Sequence, residues 1–379
     1  MLFRIRLTLQ RRHFHCTSLR LNEALDVLFF GTDEFSSQSL ISLNNLKRQC
    51  PSLIDSIRVI TKPPKWCGRR SSVLKTPPIV NVSKTLNLPI PITCNSKQEI
   101  TDKLSPLLND KTMIITSSFG GLIPESTVNN VPYTLNVHPS LLPRYKGSSP
   151  IQYTLLNNDL VTGVTIQTLH PTMFDDGEII AQTNEINVKD LLEPEPVQKN
   201  GPWKTLLLMK KLGMISGKLL NDVITNKTYA NRGKFRDNGG EYVLSLAPKI
   251  KASDKRIDWG KHTAREICNA RDVFGSLYTF KLAQPKRQKD AAFKRVLLHE
   301  VELTPNIQCN DEPGTFYYDE PNNRILLNCT GSPYMLAIDK IQFEGYAIET
   351  CDQFMKRLRK RCGNIYSQEQ RFITGSDEL

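Results

Sequence analysis

What the chain lacks narrows the reading first. No apolar run approaches the roughly 18 to 20 residues that a membrane span needs, so a soluble protein with no membrane partner is expected. Cys16, Cys50, Cys67, Cys94, Cys268, Cys309, Cys329, Cys351 and Cys362 form no C-x-x-C pair. That argues against a zinc site, and an odd number of scattered cysteines points to reduced thiols in a reducing compartment. No G-x-G-x-x-G follows the first apolar strand, where Gly31-Thr32-Asp33-Glu34-Phe35 stands instead, so a dinucleotide site is not expected. Internal repeats and low-complexity tracts are missing as well. Acidic residues are absent from Met1 to Arg20, which carries Arg4, Arg6, Arg11, Arg12 and Arg20 among apolar residues. A basic, acid-free, amphipathic N-terminus has the composition of a mitochondrial presequence. Residues 1–25 are therefore expected to be removed on the way to the mitochondrial matrix; a basic arm that binds RNA directly is the other reading. The final Ser376-Asp377-Glu378-Leu379 looks like a retention signal of the endoplasmic reticulum, but no secretory apolar stretch accompanies it.

What is present fits two domains, because 379 residues exceed what one hydrophobic core usually serves. With Lys and Arg totalling 50 against 38 Asp and Glu, the formal net charge is +12, which favours a polyanionic partner. Asp26–Phe30, Ser56–Thr61, Met113–Ser117 and Thr134–Val137 read as short apolar strands, with a helical pattern at Glu34–Leu46. Strands alternating with helices predict an α/β domain with a Rossmann-like parallel sheet over residues 26–229, its ligand at the carboxyl ends of the strands. Lys204–Val223 reads as a long helix and residues 230–243 as a polar linker. Beyond it, Ser276–Lys281, Arg295–Leu303, Gly314–Tyr318, Arg324–Cys329 and Tyr334–Phe343 are regularly spaced short strands. They predict a smaller C-terminal β-barrel of OB-like type over residues 244–362, with a tail at 363–379.

The segment Asn136-Val137-His138 puts two polar side chains on one side of an extended strand. The loop that follows, Pro139 to Gly147, is too rich in Pro and Gly for a regular element. A further strand at Gly163–Leu169 leads to Asp175-Asp176-Gly177-Glu178. A histidine oriented and charged by a carboxylate, beside an amide donor, can stabilise an oxyanion and shuttle a proton. On spacing alone the signal is weak, since a lone strand-end histidine is more often structural and Asp-Asp-Gly is a common turn.

Taken as an ordered set, Asn136-x-His138, Ser140-Leu141-Leu142-Pro143-Arg144-x-x-Gly147 and Asp175-x-Gly177 resemble the 10-formyltetrahydrofolate-dependent formyltransferase family. Leu28–Phe35, Phe119–Pro124, Gly147–Gln152 and Gly163–Ile166 extend the likeness. In the second half, Leu246–Trp259 and Glu312–Thr315 are similar to the branch of the family that uses methionyl-tRNA. The resemblance implies catalysis by Asn136, His138 and Asp175, with formyl transfer from 10-formyltetrahydrofolate to methionyl-tRNA, no metal, and a monomeric enzyme of mitochondrial translation initiation. It implies a folate site lined by Ser140, Leu141, Leu142 and Pro143, with the pterin against Phe119, Gly121, Leu122 and Ile123. Lys62–Lys75 resembles a basic loop that grips tRNA, with Lys65, Arg69 and Arg70 as its contacts, because Arg forks suit phosphate oxygens. Lys286, Arg287 and Lys289 would add contacts from a C-terminal hairpin, and Lys356–Arg361 is either a further patch or the outer side of a final helix. Two departures stand out. The doublet Asp175-Asp176 blurs the register, and His170 stands near a position where relatives carry Asp, with the spacing one residue longer. A nucleotide formyltransferase, a formyltetrahydrofolate hydrolase and an inactive tRNA-binding protein on the same scaffold remain as rival readings.

Overall fold

The structure, a computed structural model, describes residues 23–67, 71–193, 201–230, 242–284, 290–305, 311–331 and 333–375. Arg69, Arg70, Lys286, Arg287, Lys289, most of the presequence and nearly all of the polar linker lie outside those residues. The first half runs β1 (Leu25–Gly31), α1 (Glu34–Gln49), β2 (Ile54–Thr61), β3 (Lys65–Cys67), β4 (Val73–Lys75), α2 (Pro78–Thr85), β5 (Ile92–Thr93), α3 (Lys97–Leu104), β6 (Thr112–Ser117), α4 (Glu125–Val128) and β7 (Tyr133–His138). It continues through α5 (Pro150–Leu156), β8 (Val161–Thr162), β9 (Thr165–Gln167), β10 (Ile179–Gln182), β11 (Ile186–Asn187), α6 (Val188–Leu192) and α7 (Trp203–Thr225). β1 begins at Leu25, so the expected presequence boundary falls inside the first strand.

The strand order is β10-β9-β7-β6-β1-β2-β5. The five strands from β7 to β5 are parallel, as the alternation of strands and helices predicts. β9 pairs antiparallel with β7, and β10 antiparallel with β9, so the sheet is mixed but mostly parallel. Successive side chains alternate across it: Val27, Phe29, Met113, Ile115, Leu135 and Val137 face α1, α5 and α7, while Leu28, Phe30 and Ile114 face α3 and α4. α7 lies close on α1 because its glycines sit on the contact: a Cβ at Gly217 would stand 2.4 Å from that of Ser42, and Ser39 and Ser216 share a 2.6 Å hydroxyl bond.

The second half comprises α8 (Ala264–Phe274), β12 (Leu277–Ala283), β13 (Ala292–Pro305), β14 (Phe316–Asp319), β15 (Arg324–Leu327), β16 (Tyr334–Phe343), β17 (Glu349–Thr350) and α9 (Cys351–Gln368). Its antiparallel sheet runs β12-β13-β16-β15-β14. The segment after α9 joins the two edges: Phe316 N donates to Gln370 O, Phe372 N to Gly314 O, and Phe280 and Ile373 exchange a bond pair. That closes the barrel and buries Phe372 completely. Residues 370–374 are thus part of the barrel, which corrects the expected tail. Most of the basic run on α9 is exposed, with Lys356, Arg357, Arg359 and Lys360 on the outer side of the helix, but its last member is structural. Arg361 is buried and forms a bidentate pair with buried Glu349, and Arg357 reaches the same carboxylate.

The halves share one continuous apolar core. Lys204 of α7 pairs with Asp272 of α8 at 3.1 Å, and Thr205 donates to Val273 O at 2.8 Å. The described cysteines are all free. Burial pushes the thiols of Cys268 and Cys362 up to about 11, and those of Cys329 and Cys351 up to about 12, so they resist alkylation at neutral pH. Cys67 is exposed on the β3–β4 hairpin, beside Trp66 at 64% exposure. Iodoacetamide under native conditions is expected to modify Cys67 and spare those four, as peptide mass spectrometry would show. If the hairpin grips RNA, as the resemblance implies, bound RNA will protect Cys67, and unchanged labelling would remove the hairpin from the interface.

Candidate active site

At the end of β7, Asn136 and His138 project from the face that looks toward α3 and α4, since both alternate with the buried Val137 of the opposite face. β9 pairs antiparallel beside them, with Asn136 opposite Gln167 and His138 opposite Thr165. The chain then leaves β9 at the far end of β7, where Leu169 N donates to Thr134 Oγ1. It doubles back through residues 170–177 across the sheet face and so brings Asp175 to Asn136. Spacing suggested that the acid ends a strand at the same sheet edge; the return loop delivers it instead.

That loop depends on two local features. His170 Nδ1 accepts from Thr172 N at 3.2 Å and Met173 N at 3.0 Å, the task a carboxylate oxygen performs in an Asx turn. Gly177 is obligatory, because a Cβ there would lie 1.8 Å from Thr168 O.

The Asp175 side chain is 8% exposed and gathers the site around its two oxygens. Oδ1 accepts from Asn136 Nδ2 at 2.8 Å and from Gln167 Nε2 at 3.3 Å, and it faces His138 Nδ1 at 3.4 Å. Oδ2 accepts from Gly147 N at 2.8 Å. Asp176 instead meets Lys146 Nζ at 2.6 Å on the surface, and that lysine holds its carboxyl below the usual range. Of the doublet, only Asp175 reaches the two β7 side chains. Asn136 is oriented from behind by Thr116 Oγ1, which donates to its Oδ1 at 2.8 Å. The Nε2 of His138 lies 2.9 Å from Tyr145 O. Both ring nitrogens thus face oxygens that only accept, and a ring carrying both protons satisfies both.

These residues border a cavity of ≈ 500 Å³ at the carboxyl ends of β1, β6 and β7. Phe119, Gly121, Leu122 and Ile123 line it, as expected. The other expected folate residues do not. Ser140, Leu141 and Leu142 are buried, tied down by Ser140 Oγ to Arg144 O and by Thr165 Oγ1 to Ser140 O. Pro143, with them, stays outside the lining. This stretch props the loop behind His138. Lys65 is exposed on the β3–β4 hairpin, whose base holds Lys62 4.3 Å over the Phe119 ring.

Several participants went unnoticed in the sequence. Gln167 was legible, because Thr165 and Gln167 alternate with Val164 and Ile166 and so share a strand face with Asn136 and His138. Thr116 and the backbone groups of Tyr145 and Gly147 carry no such signal. Nor does the segment from residue 244, expected to open the C-terminal domain. Lys146 N donates to Ser245 O, Ala247 N to Lys146 O, Ser149 N to Ala247 O and Tyr145 N to Ser245 Oγ. The stretch 245–247 is therefore pinned to the active-site loop, and Pro248 lines the cavity.

Comparison with known proteins agrees with this arrangement. Residues 25–199 match the family described as formyl transferase, and residues 249–359 match the formyl transferase C-terminal domain. The mitochondrial methionyl-tRNA formyltransferase of Saccharomyces cerevisiae is 41% identical over 95% of this chain and 97% of its own. The mitochondrial methionyl-tRNA formyltransferase of Homo sapiens is 29% identical over 80% of this chain and 71% of its own. Among solved structures, the N-formyltransferase of Helicobacter canadensis, in complex with folinic acid and dTDP-3-aminofucose, superposes with a TM-score of 0.50 at 17% identity, covering 83% of this chain and 98% of that one. With both halves matched and a relative this similar over nearly its whole length, the chain belongs to the formyl transferase family.

Proposed function

We propose that the chain transfers the formyl group of 10-formyltetrahydrofolate to the α-amino group of methionyl-tRNA, as a monomer in the mitochondrial matrix, for translation initiation. The observation that carries the reaction type is the convergence of Asn136, His138 and the Asp175 carboxylate on one cavity. The acceptor follows from the likeness to mitochondrial methionyl-tRNA formyltransferases and from the basic hairpin at Lys65, with Arg69 and Arg70 beside it.

In this reading the amine lone pair attacks the formyl carbon, and the carbonyl π pair moves onto oxygen. Asn136 has a second amide N–H beyond the one given to Asp175, and it donates to that oxyanion from a fixed position. The doubly protonated His138 ring adds positive charge alongside. When the intermediate collapses, the carbon–N10 bond breaks and the amine proton passes to N10 of the departing tetrahydrofolate. With its oxygens already accepting from Asn136, Gln167 and Gly147, Asp175 acts mainly by orienting the donors. Phe119–Ile123 receive the pterin, and Lys286, Arg287 and Lys289 add phosphate contacts.

An acceptor assay tests this. Protein lacking residues 1–20 is supplied with 10-formyltetrahydrofolate and methionyl-tRNA, glycinamide ribonucleotide or water alone. Methionyl-tRNA is expected to react at least about a hundredfold faster than either alternative. Dominant hydrolysis or nucleotide formylation would replace this reading with one of its rivals.

A further inference from the structure

By the elements its lining residues come from, the cavity divides into two lobes. One lies on the α3 and α4 face, where Ile123, Val128 and Leu169 join Asn136 and His138. The other passes over the strand ends to the starts of α1 and α5, where Asp33, Ser148, Gln152, Met209 and Pro248 line it. With Phe119–Ile123 assigned to the formyl donor, the second lobe is left for the acceptor, and it opens toward the C-terminal half through Pro248.

Asp33 is the ionisable group of that lobe. It caps α1, accepting from Ser36 N at 3.0 Å, but a cap needs only an acceptor, and asparagine or serine serves as well. A charge is an additional property, and Asp33 forms no ion pair among the described residues. Burial pushes its carboxyl up to about 6, and hydrogen bonds from Ser36 and Ser118 offset this only in part. Charged groups on neighbouring elements are turned elsewhere. Glu34 on α1 accepts from Gln38, and Lys62 at the end of β2 lies over Phe119. Above pH 6 the lobe therefore holds a carboxylate without a countercharge.

Sheet register places this group relative to the chemistry. Gly31 is level with Ser117, and Ser117 with Val137, so the start of α1 stands two strand spacings, about 10 Å, from the end of β7. Asp33, Asn136 and His138 line the same cavity, so one ligand there can meet groups from both sides.

We propose that Asp33 binds the α-ammonium group of the aminoacyl acceptor, an assignment that rests on the formyl-transfer reading above. The pairing concerns binding; the attacking amine is the fraction that has lost its proton to bulk water. Formylation converts the amine to a neutral amide, so the attraction disappears when product forms. Asp33 thereby discriminates substrate from product by charge.

Asp33→Asn keeps the cap and the size of the side chain, and Asp33→Ser keeps the cap with a smaller group. Both are expected to raise KM for methionyl-tRNA by about tenfold or more. KM for 10-formyltetrahydrofolate and inhibition by formylmethionyl-tRNA should stay unchanged. The free variants should also melt at higher temperature than wild type at pH 7.5, with the difference shrinking as pH falls toward 4. An acid whose folded-state pKa is raised loses stability as pH climbs from the unfolded value to the folded one, and asparagine never ionises. Equal changes in substrate and product affinity, a change in folate KM, or an unaltered acceptor KM in an active background would each overturn the assignment. A wild-type protein that formylates no methionyl-tRNA would instead overturn the function on which it rests.

Discussion

Replacing Asp175 by asparagine is expected to lower kcat/KM for formyl transfer by about a thousandfold or more while the protein stays folded. The two carboxylate oxygens accept from Asn136 Nδ2, Gln167 Nε2 and Gly147 N and face His138 Nδ1. An asparagine offers one oxygen and one NH2. Whichever way the amide turns, its N–H groups meet either the Gly147 N–H or the donors on the Asn136 side, and one buried donor is left unpaired. The negative charge opposite the His138 ring is lost too, so both groups assigned to the oxyanion are released together. Steady-state kinetics with methionyl-tRNA, beside a binding measurement, separates the two effects: tRNA affinity should hold within a few fold. Asp176→Asn is the control. Its carboxylate is exposed and meets Lys146 at the surface, so activity should change by less than about threefold. If Asp175→Asn retained a tenth of wild-type activity, or Asp176→Asn lost as much, the assignment of the acid would be wrong.

The second large effect is expected at Gly147, where Gly147→Ala should reduce kcat/KM by about a hundredfold and destabilise the protein by roughly 2 to 3 kcal/mol. Two costs coincide there. The backbone has φ +127°, which alanine adopts only with strain, and a Cβ would stand 2.5 Å from Ala247 O. The chain must move away from residues 245–247, and with it the N–H that Gly147 gives to Asp175. Gly120→Ala separates the two costs, because Gly120 also has positive φ, at +70°, yet nothing lies within 4 Å of its would-be Cβ. Thermal unfolding and hydrogen exchange of residues 242–250 would be compared between the variants. Similar behaviour of the two would mean that strain alone matters and that the clasp between the loop and residues 245–247 contributes nothing.

Much of the site was legible in order along the chain. β1, β2, β6 and β7 begin and end within two residues of their predicted limits, because short apolar runs between turn residues leave few alternatives. The shared face of Asn136 and His138 follows from strand periodicity, and β16 spans the predicted Tyr334–Phe343. The place of Phe119–Ile123 on the cavity wall was equally readable, since the loop follows a buried parallel strand. Ser140–Pro143 was not. A Pro-rich polar loop beside a catalytic strand looks accessible, and only the bonds to Thr165 and Arg144 show that it is buried. Lys356–Arg361 read as a charged run, yet the partner that buries Arg361, Glu349, lies on the strand before the helix.

By itself, the sequence determined the alternating architecture of the first half, the antiparallel strands of the second, and which side chains could share a face, because these depend on residues a few positions apart. Tertiary structure decided the rest. The reversal of β9, the return loop that carries Asp175 to Asn136, the closure of the barrel by residues 370–374 and the clasp of residues 245–247 on the active-site loop all join distant positions. Tyr145 and Ser245 are 100 residues apart, and the bond between them is made by a backbone N–H, a group that every residue but proline possesses. Backbone groups leave no mark on the choice of amino acid, so Asn136, His138 and Asp175 could be read in the sequence while the backbone groups that hold them in place became visible only in the fold.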